Sequence, residues 1–257
     1  MAYDVQQIQE MEDSLEDCIE KLQSLLIAYA SRNYRTERGR ELAVHGFSRR
    51  IKTVEYGIRT VFDILPLHEE NPSIQSLNTA NCIIQSIMIN VFGALENLSQ
   101  IWVHESDVRG KKGNLLSGRQ IGLSPNHSQF RSSLPDDLNE YVSNLAEWYD
   151  YLSQYRHALA HRIPPYLVPR TFSDIDAKEY RKVDAEMLAA LKNYDFDQHL
   201  QLSRHQDSIG SYSALMMHSY SEGAVPIFFH PQLICDALTI HQAGERFLLY
   251  LPNCPRY

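Results

Sequence analysis

Between Tyr155 and Arg162 the chain places one arginine and two histidines within six residues: Arg156, His157 and His161. A guanidinium grips phosphate oxygens with a planar fork, and imidazole moves protons near neutral pH. Together they suggest chemistry on a phosphodiester. The segment closes a strongly periodic stretch, and Pro164 and Pro165 follow almost at once. A helix end is where side chains leave a bundle and meet solvent or substrate. His157 and His161 are four apart and share a helix face. Arg156 and His161 are five apart, about 140° around a regular helix. Their convergence needs either a distorted last turn, since Pro164 disfavours helical geometry at Ile163, or a second copy of the helix across a dimer axis.

The elements that must position this segment are helical. Apolar residues recur at helical spacing from about Val5 to Ser31, from about Thr36 to Leu65 and from about Pro72 to Glu105. The middle of the third stretch is apolar nearly all round, as a central bundle helix should be. A polar, glycine-bearing loop follows over Ser106 to Ser133, and a fourth helix is expected from near Pro135 to His161. Its seam reads Leu138, Val142, Leu145, Tyr149, Leu152, position 156 and Leu159, in alternating steps of four and three. Arg156 therefore falls where an apolar residue is expected, and a buried unpaired guanidinium is costly. It must find an anion, with Glu96 the natural internal partner, or reach a wet cleft. Helices are also expected over Asp176 to Tyr194 and Gln232 to Leu251, with a short extended stretch from Ala224 to His230. The fold class is all-α: an elongated up-and-down bundle over residues 1–169, about 45 Å long, with a mostly helical extension over 170–257 packed on it as one domain.

Charge narrows the partners. The net charge is -8, which disfavours nucleic acid at first sight. The basic residues, however, cluster between Arg32 and Lys52 and between Asp107 and Arg131, the latter including Lys111 and Lys112. Two basic segments on an acidic body can focus a polyanion onto one face; the plainer reading is a solvated helix start and a solvated loop. The four cysteines are far apart and form no CxxC pair, which argues against a structural zinc site and fits a reducing cytoplasm. No basic region followed by an apolar core opens the chain, so a signal peptide is not expected. The most apolar run, from Cys82 to Leu95, holds Gln85, Ser86 and Asn90 and reads as a bundle core, not a membrane span. His157 and His161 could ligate a metal at their spacing, but no HExxH and no third ligand accompany them; no metal or other cofactor is expected.

The Arg156-His157-x3-His161 pattern late in a helical bundle resembles the motif of the HEPN superfamily. The stretch Gly93-Ala94-Leu95-Glu96-Asn97-Leu98 resembles the acidic spot that such bundles carry on an earlier helix. The resemblance spans roughly Val5 to Pro169. It departs from the family in having His157 where asparagine is common, and in its greater length. It implies a homodimer that brings two motifs into one cleft. Many members are metal-independent endoribonucleases of toxin, phage-defence and RNA-processing systems; others bind nucleotides or protein partners without catalysis. On that reading Arg156 neutralises phosphoryl charge, and His161 is a general base or acid toward the ribose 2′-hydroxyl. His157 positions the phosphate or shares the proton work, and Glu96 and Asn97 support them. Tyr155, Arg162, Tyr166, Lys111 and Lys112 are candidates for holding RNA, the tyrosines by stacking a base. An antitoxin or defence-system partner protein is implied with it. Two alternatives stand beside the ribonuclease: a non-catalytic module binding a nucleotide or a protein, and a purely structural bundle.

Overall fold

The structure, a computed structural model, describes residues 2–219 and 225–252. Ten α-helices, the shortest of them α5 (Ser128–Arg131), one π-helical segment, one 3₁₀ turn and three short strands are found among them. The first helix, α1 (Val5–Ser31), opens with a reciprocal cap: Gln7 N–H donates to Asp4 Oδ1 at 2.8 Å, and Asp4 N–H donates to the Gln7 side chain. Next come α2 (Glu37–Glu41), one π-helical segment (Leu42–Phe47) and α3 (Ser48–Ile64), without a gap. The second expected helix is thus one rod with its middle widened, because π-type bonding spans five residues instead of four. The π segment lies where Gly46 meets the Asn97 side chain so closely that a Cβ would clash.

The centre is α4 (Ile74–Glu105), packed by α3, the π segment and α10 (Phe229–Tyr250). Its buried residues, among them Ile84, Met88, Val91, Leu95 and Leu98, meet Phe47, Ile51, Val54 and Ile58 of the second rod in one core. Among the described residues α4 alone is long and apolar enough to cross a membrane by length and composition, and its apolar faces form this core. The last helix belongs to the same core. Phe229, Leu233, Ala237, Ile240 and Phe247 are buried, and Tyr29 of α1 donates its hydroxyl to the Gly244 carbonyl at 2.9 Å. The fold is all-α in class, and the chain beyond residue 169 divides in two: α10 returns through the bundle, while α8 (Asp174–Lys192) and α9 (Phe196–Gln206) form a helical hairpin closed at its base by a Thr171–Ser211 bridge. That hairpin exposes Ile175, Leu188, Tyr194, Phe196 and Leu200. The strands β1 (Tyr166–Leu167), β2 (Leu215–Met217) and β3 (Ile227–Phe228) pair antiparallel in that order, with Tyr166 opposite Met217 and Leu215 opposite Phe228. The expected extended stretch is therefore real at β3; its residue Ala224 lies outside the described residues, and His230 already belongs to α10.

Two features of the fold bear on the basic segment. Glu105, fully buried at the end of α4, accepts hydrogen bonds from the Arg35 and Thr36 backbone N–H groups at 2.6 and 3.1 Å and from the Thr36 hydroxyl at 2.8 Å. Gly39 makes room for it, because a Cβ there would overlap the Glu105 carboxylate. The carboxylate so fixes the entry to α2, which carries Arg38 and Arg40. Glu105→Ala would leave two part-buried backbone donors and the Thr36 hydroxyl without their acceptor. It is expected to lower unfolding free energy by about 3 kcal/mol, with Gly39→Ala shifting it the same way; denaturant unfolding of both variants checks this.

Candidate functional site

The fourth expected helix is broken. It runs as α6 (Asp136–Asn144) and α7 (Ala146–His161), with Leu145 out of helical register at φ -85° and ψ 1°. The break rotates everything after it by about one residue. The buried positions of α7 become Leu152, Tyr155 and Ala158, and Arg156 turns to the surface. The expectation that Arg156 sits in the apolar seam is thereby corrected. Its guanidinium lies over the Phe92 ring of α4, 5.3 Å from the centroid, and Phe92 in turn stacks on Tyr149 at 5.7 Å. A cation over an aromatic face is held by the ring quadrupole while its N–H edge stays available.

The expected Arg156–Glu96 bridge is also absent: among the described residues no ion pair joins them, and both are exposed. The two charges do share a neighbour. Burial raises the Tyr149 phenol above its ordinary pKa, Glu96 raises it further, and Ser153 and Arg156 act the other way. Asn97 faces elsewhere, accepting from Arg50 Nε at 3.0 Å. The Arg50 Nη1 donates to Asn90 Oδ1 at 3.3 Å, and the guanidinium lies so close on Gly93 that no Cβ would fit. The Gly93-to-Leu98 stretch is therefore built around Arg50, not Arg156. Arg50 was not singled out in the sequence, although it stands three residues after Phe47 and four before Val54, on the edge of a seam. It shares a hollow with Arg38, Glu96, Asn97 and Gln100.

His157 and His161 are exposed, with ring centroids 5.1 Å apart. The helix stays regular to its end, where Arg162 N–H donates to the Ala158 carbonyl at 3.0 Å. The last turn is not distorted, and the two histidines face away from Arg156 by the ordinary helical angle. Beyond the helix, Gln85 of α4 donates to the Pro165 carbonyl at 2.8 Å and fixes the chain into β1.

The candidate RNA-holding residues scatter. Tyr155 is buried, packed against Tyr151 at 4.9 Å and edge-on to His218 at 5.1 Å, so its ring is closed to a base. Tyr166 is half-buried in β1, and Arg162 is exposed after α7. Lys111 and Lys112 lie on a turn between Arg109 and Leu115, lining a hollow with Gln120 and Gln129 and none of the α7 motif. Among the described residues no three His, Cys, Asp or Glu side chains converge as a metal site would need. No protein-family model, curated protein or solved structure matches the chain.

Proposed function

We propose that Arg156, His157 and His161 form a phosphodiester-binding face and that two copies of the chain join such faces into the active cleft of a metal-independent endoribonuclease of HEPN type. The observation that carries this reading is the state of Arg156: exposed, over the Phe92 ring, and in no ion pair among the described residues, with two solvent-facing imidazoles within one further turn or so. An exposed guanidinium with its N–H edge open can take a phosphate without first breaking an internal pair. In the reaction one imidazole takes the proton of the ribose 2′-hydroxyl, and the oxygen attacks the adjacent phosphorus. The bond to the 5′-oxygen breaks, and a second, protonated imidazole supplies that oxygen's proton. Arg156 neutralises the charge gathering on the non-bridging oxygens. The products are a 2′,3′-cyclic phosphate and a 5′-hydroxyl, and DNA, lacking the 2′-hydroxyl, is spared. An antitoxin or defence-system partner would act by covering this face.

One observation favours a second reading, a non-catalytic module that binds a nucleotide or protein on the same face. In a single regular helix Arg156 and His161 point about 140° apart and do not meet on one phosphate. The deciding experiment incubates the purified chain with single-stranded RNA, transfer RNA and single-stranded DNA in EDTA and analyses the termini. Cyclic phosphate ends on RNA and intact DNA are expected. An inert folded protein that still binds RNA or nucleotide would establish the second reading.

A further inference from the structure

A cavity of about 460 Å³ opens where the loop after α4 folds over the break between α6 and α7. That volume lies within the range of small-molecule pockets, roughly 300–1,000 Å³. Its walls include Leu123, Val142, Leu145 and the rings of Trp148 and Tyr149. Both rings are held from behind: Trp148 Nε1 donates to the buried Asp236 at 2.8 Å, and Tyr149 stacks on Phe92. The pocket is therefore shaped before any ligand arrives.

One cation faces it. Arg131 Nε donates to Asn139 Oδ1 at 2.6 Å, Nη1 to the Leu123 carbonyl at 2.8 Å, and Nη2 to the Asn139 carbonyl and to Ser143 Oγ at 2.9 and 2.6 Å. Every one of these acceptors is neutral. Burial lowers the Arg131 pKa from its ordinary value, and no charged neighbour contributes to that shift. Of the five guanidinium N–H groups, four are used; one, on Nη1, remains for a ligand. The charge has no ion pair among the described residues, and it sits part-buried in a cleft with both apolar and polar walls, where an ionic contact is worth more than in open water. Asp150, on the same lining, opposes a ligand of high negative charge.

We propose that this cavity binds a small aromatic monoanion, its ring against Trp148 and the apolar wall and its carboxylate or sulfonate on Arg131. The cavity shares α7 but is lined by none of Arg156, His157 and His161, so this holds whether or not the chain cleaves RNA. It is tested by titrating the full chain with anilinonaphthalene sulfonate and with phenylnaphthylamine, which has the same rings without the charge. Binding is read from the emission of the bound dye, which rises in an apolar site. The sulfonate is expected to saturate at one per chain and to bind roughly tenfold more tightly than the uncharged dye, the weight of one charge-assisted hydrogen bond. Arg131→Gln is expected to erase that preference. Because Arg131 also braces the loop, a second variant is needed: Ala146→Trp, at an exposed helical position on the cavity wall, is expected to block both dyes without unfolding the chain. Equal affinity for the two dyes in the wild type would overturn the proposal. So would binding that survives Ala146→Trp, as on the exposed apolar side of the α8–α9 hairpin.

Discussion

Arg156→Ala and His161→Ala are each expected to lower RNA cleavage by roughly 10²-fold or more while leaving thermal unfolding almost unchanged. The two halves of this result come from different facts. Both side chains are exposed, and neither donates a hydrogen bond that the fold needs. Removing Arg156 forfeits only its contact with Phe92, worth about 0.5–1 kcal/mol at an exposed site. The catalytic loss is larger because charge on a pentavalent phosphorus loses its guanidinium in one variant, and the two proton transfers lose one of their imidazoles in the other. Arg156→Lys keeps the charge and loses the fork, so it should fall between wild type and alanine. The two-copy cleft makes a sharper demand. If one copy gives the arginine and the other the histidine, mixing the two inactive variants should restore activity in the mixed dimers, about half of the population at equal mixing. Persistent inactivity of that mixture, with dimers present, would place each working pair within one chain, and the regular end of α7 would then have to unwind. A loss of stability of several kcal/mol in Arg156→Ala would assign the arginine to the fold.

What the sequence made legible, and what it did not, follows from the range of the forces involved. The long helices α1, α4 and the α2–α3 rod were legible because their apolar stripes repeat over many turns against a common core. The break at Leu145 was not. The apolar repeat runs straight through it, and nothing in Val142 to Tyr149 is a glycine or a proline. Its effect is nonlocal: one residue of slippage moved Arg156 out of the core and Tyr155 into it. The Gly93 stretch was visible as polar residues at the end of an apolar run, but its partner depended on which helix lay opposite. Arg50 is 43 residues away in sequence and next to it in space. The hairpin α8–α9 was half legible. Its first helix has a serine cap and an apolar repeat, whereas α9 buries none of its residues fully and so leaves a weak stripe. Of the short strands only β3 lies in a stretch that read as extended; β1 and β2, two and three residues long, are fixed by pairing across the sheet, which no local pattern encodes.

Asp236→Asn is expected to stabilise the protein by about 2–3 kcal/mol at pH 8 and by almost nothing at pH 4. The Asp236 carboxylate is buried between α10 and α7; its Oδ1 accepts from Trp148 Nε1 and Gln232 Nε2, both at 2.8 Å, while Oδ2 has no hydrogen-bond partner. The Tyr151 and Tyr155 hydroxyls, buried and likewise without partners, and the Cys235 thiol all feel its charge. Burial pushes its pKa up to about 6, against the two side-chain donors, which lower it. In the unfolded chain the value returns to about 3.9. The folded state therefore holds a proton that the unfolded state has lost between about pH 4 and pH 6, so stability falls as pH rises through that window, and the full cost of the ionised group is present above it. His230 works in the opposite sense. Its Nε2–H donates to the Leu65 carbonyl at 2.7 Å, and Tyr3 faces its Nδ1 at 3.1 Å as hydroxyl donor. Phe62 and Phe229 pack its ring, and burial drives its pKa down to about 4, with the Leu65 hydrogen bond opposing. The unfolded imidazole titrates near 6.5, so its contribution is lost as pH falls from there through about 4. Across that interval the two groups offset each other in the wild type, by about 3 kcal/mol each. The asparagine amide keeps the acceptor for Trp148 and Gln232 and removes the titration, leaving His230 unopposed. Guanidinium unfolding of wild type and Asp236→Asn from pH 4 to pH 8 should thus show two curves that meet at acid and separate as pH rises. A constant gap between them would mean that Asp236 does not titrate in this window, and that its buried oxygen is satisfied by water.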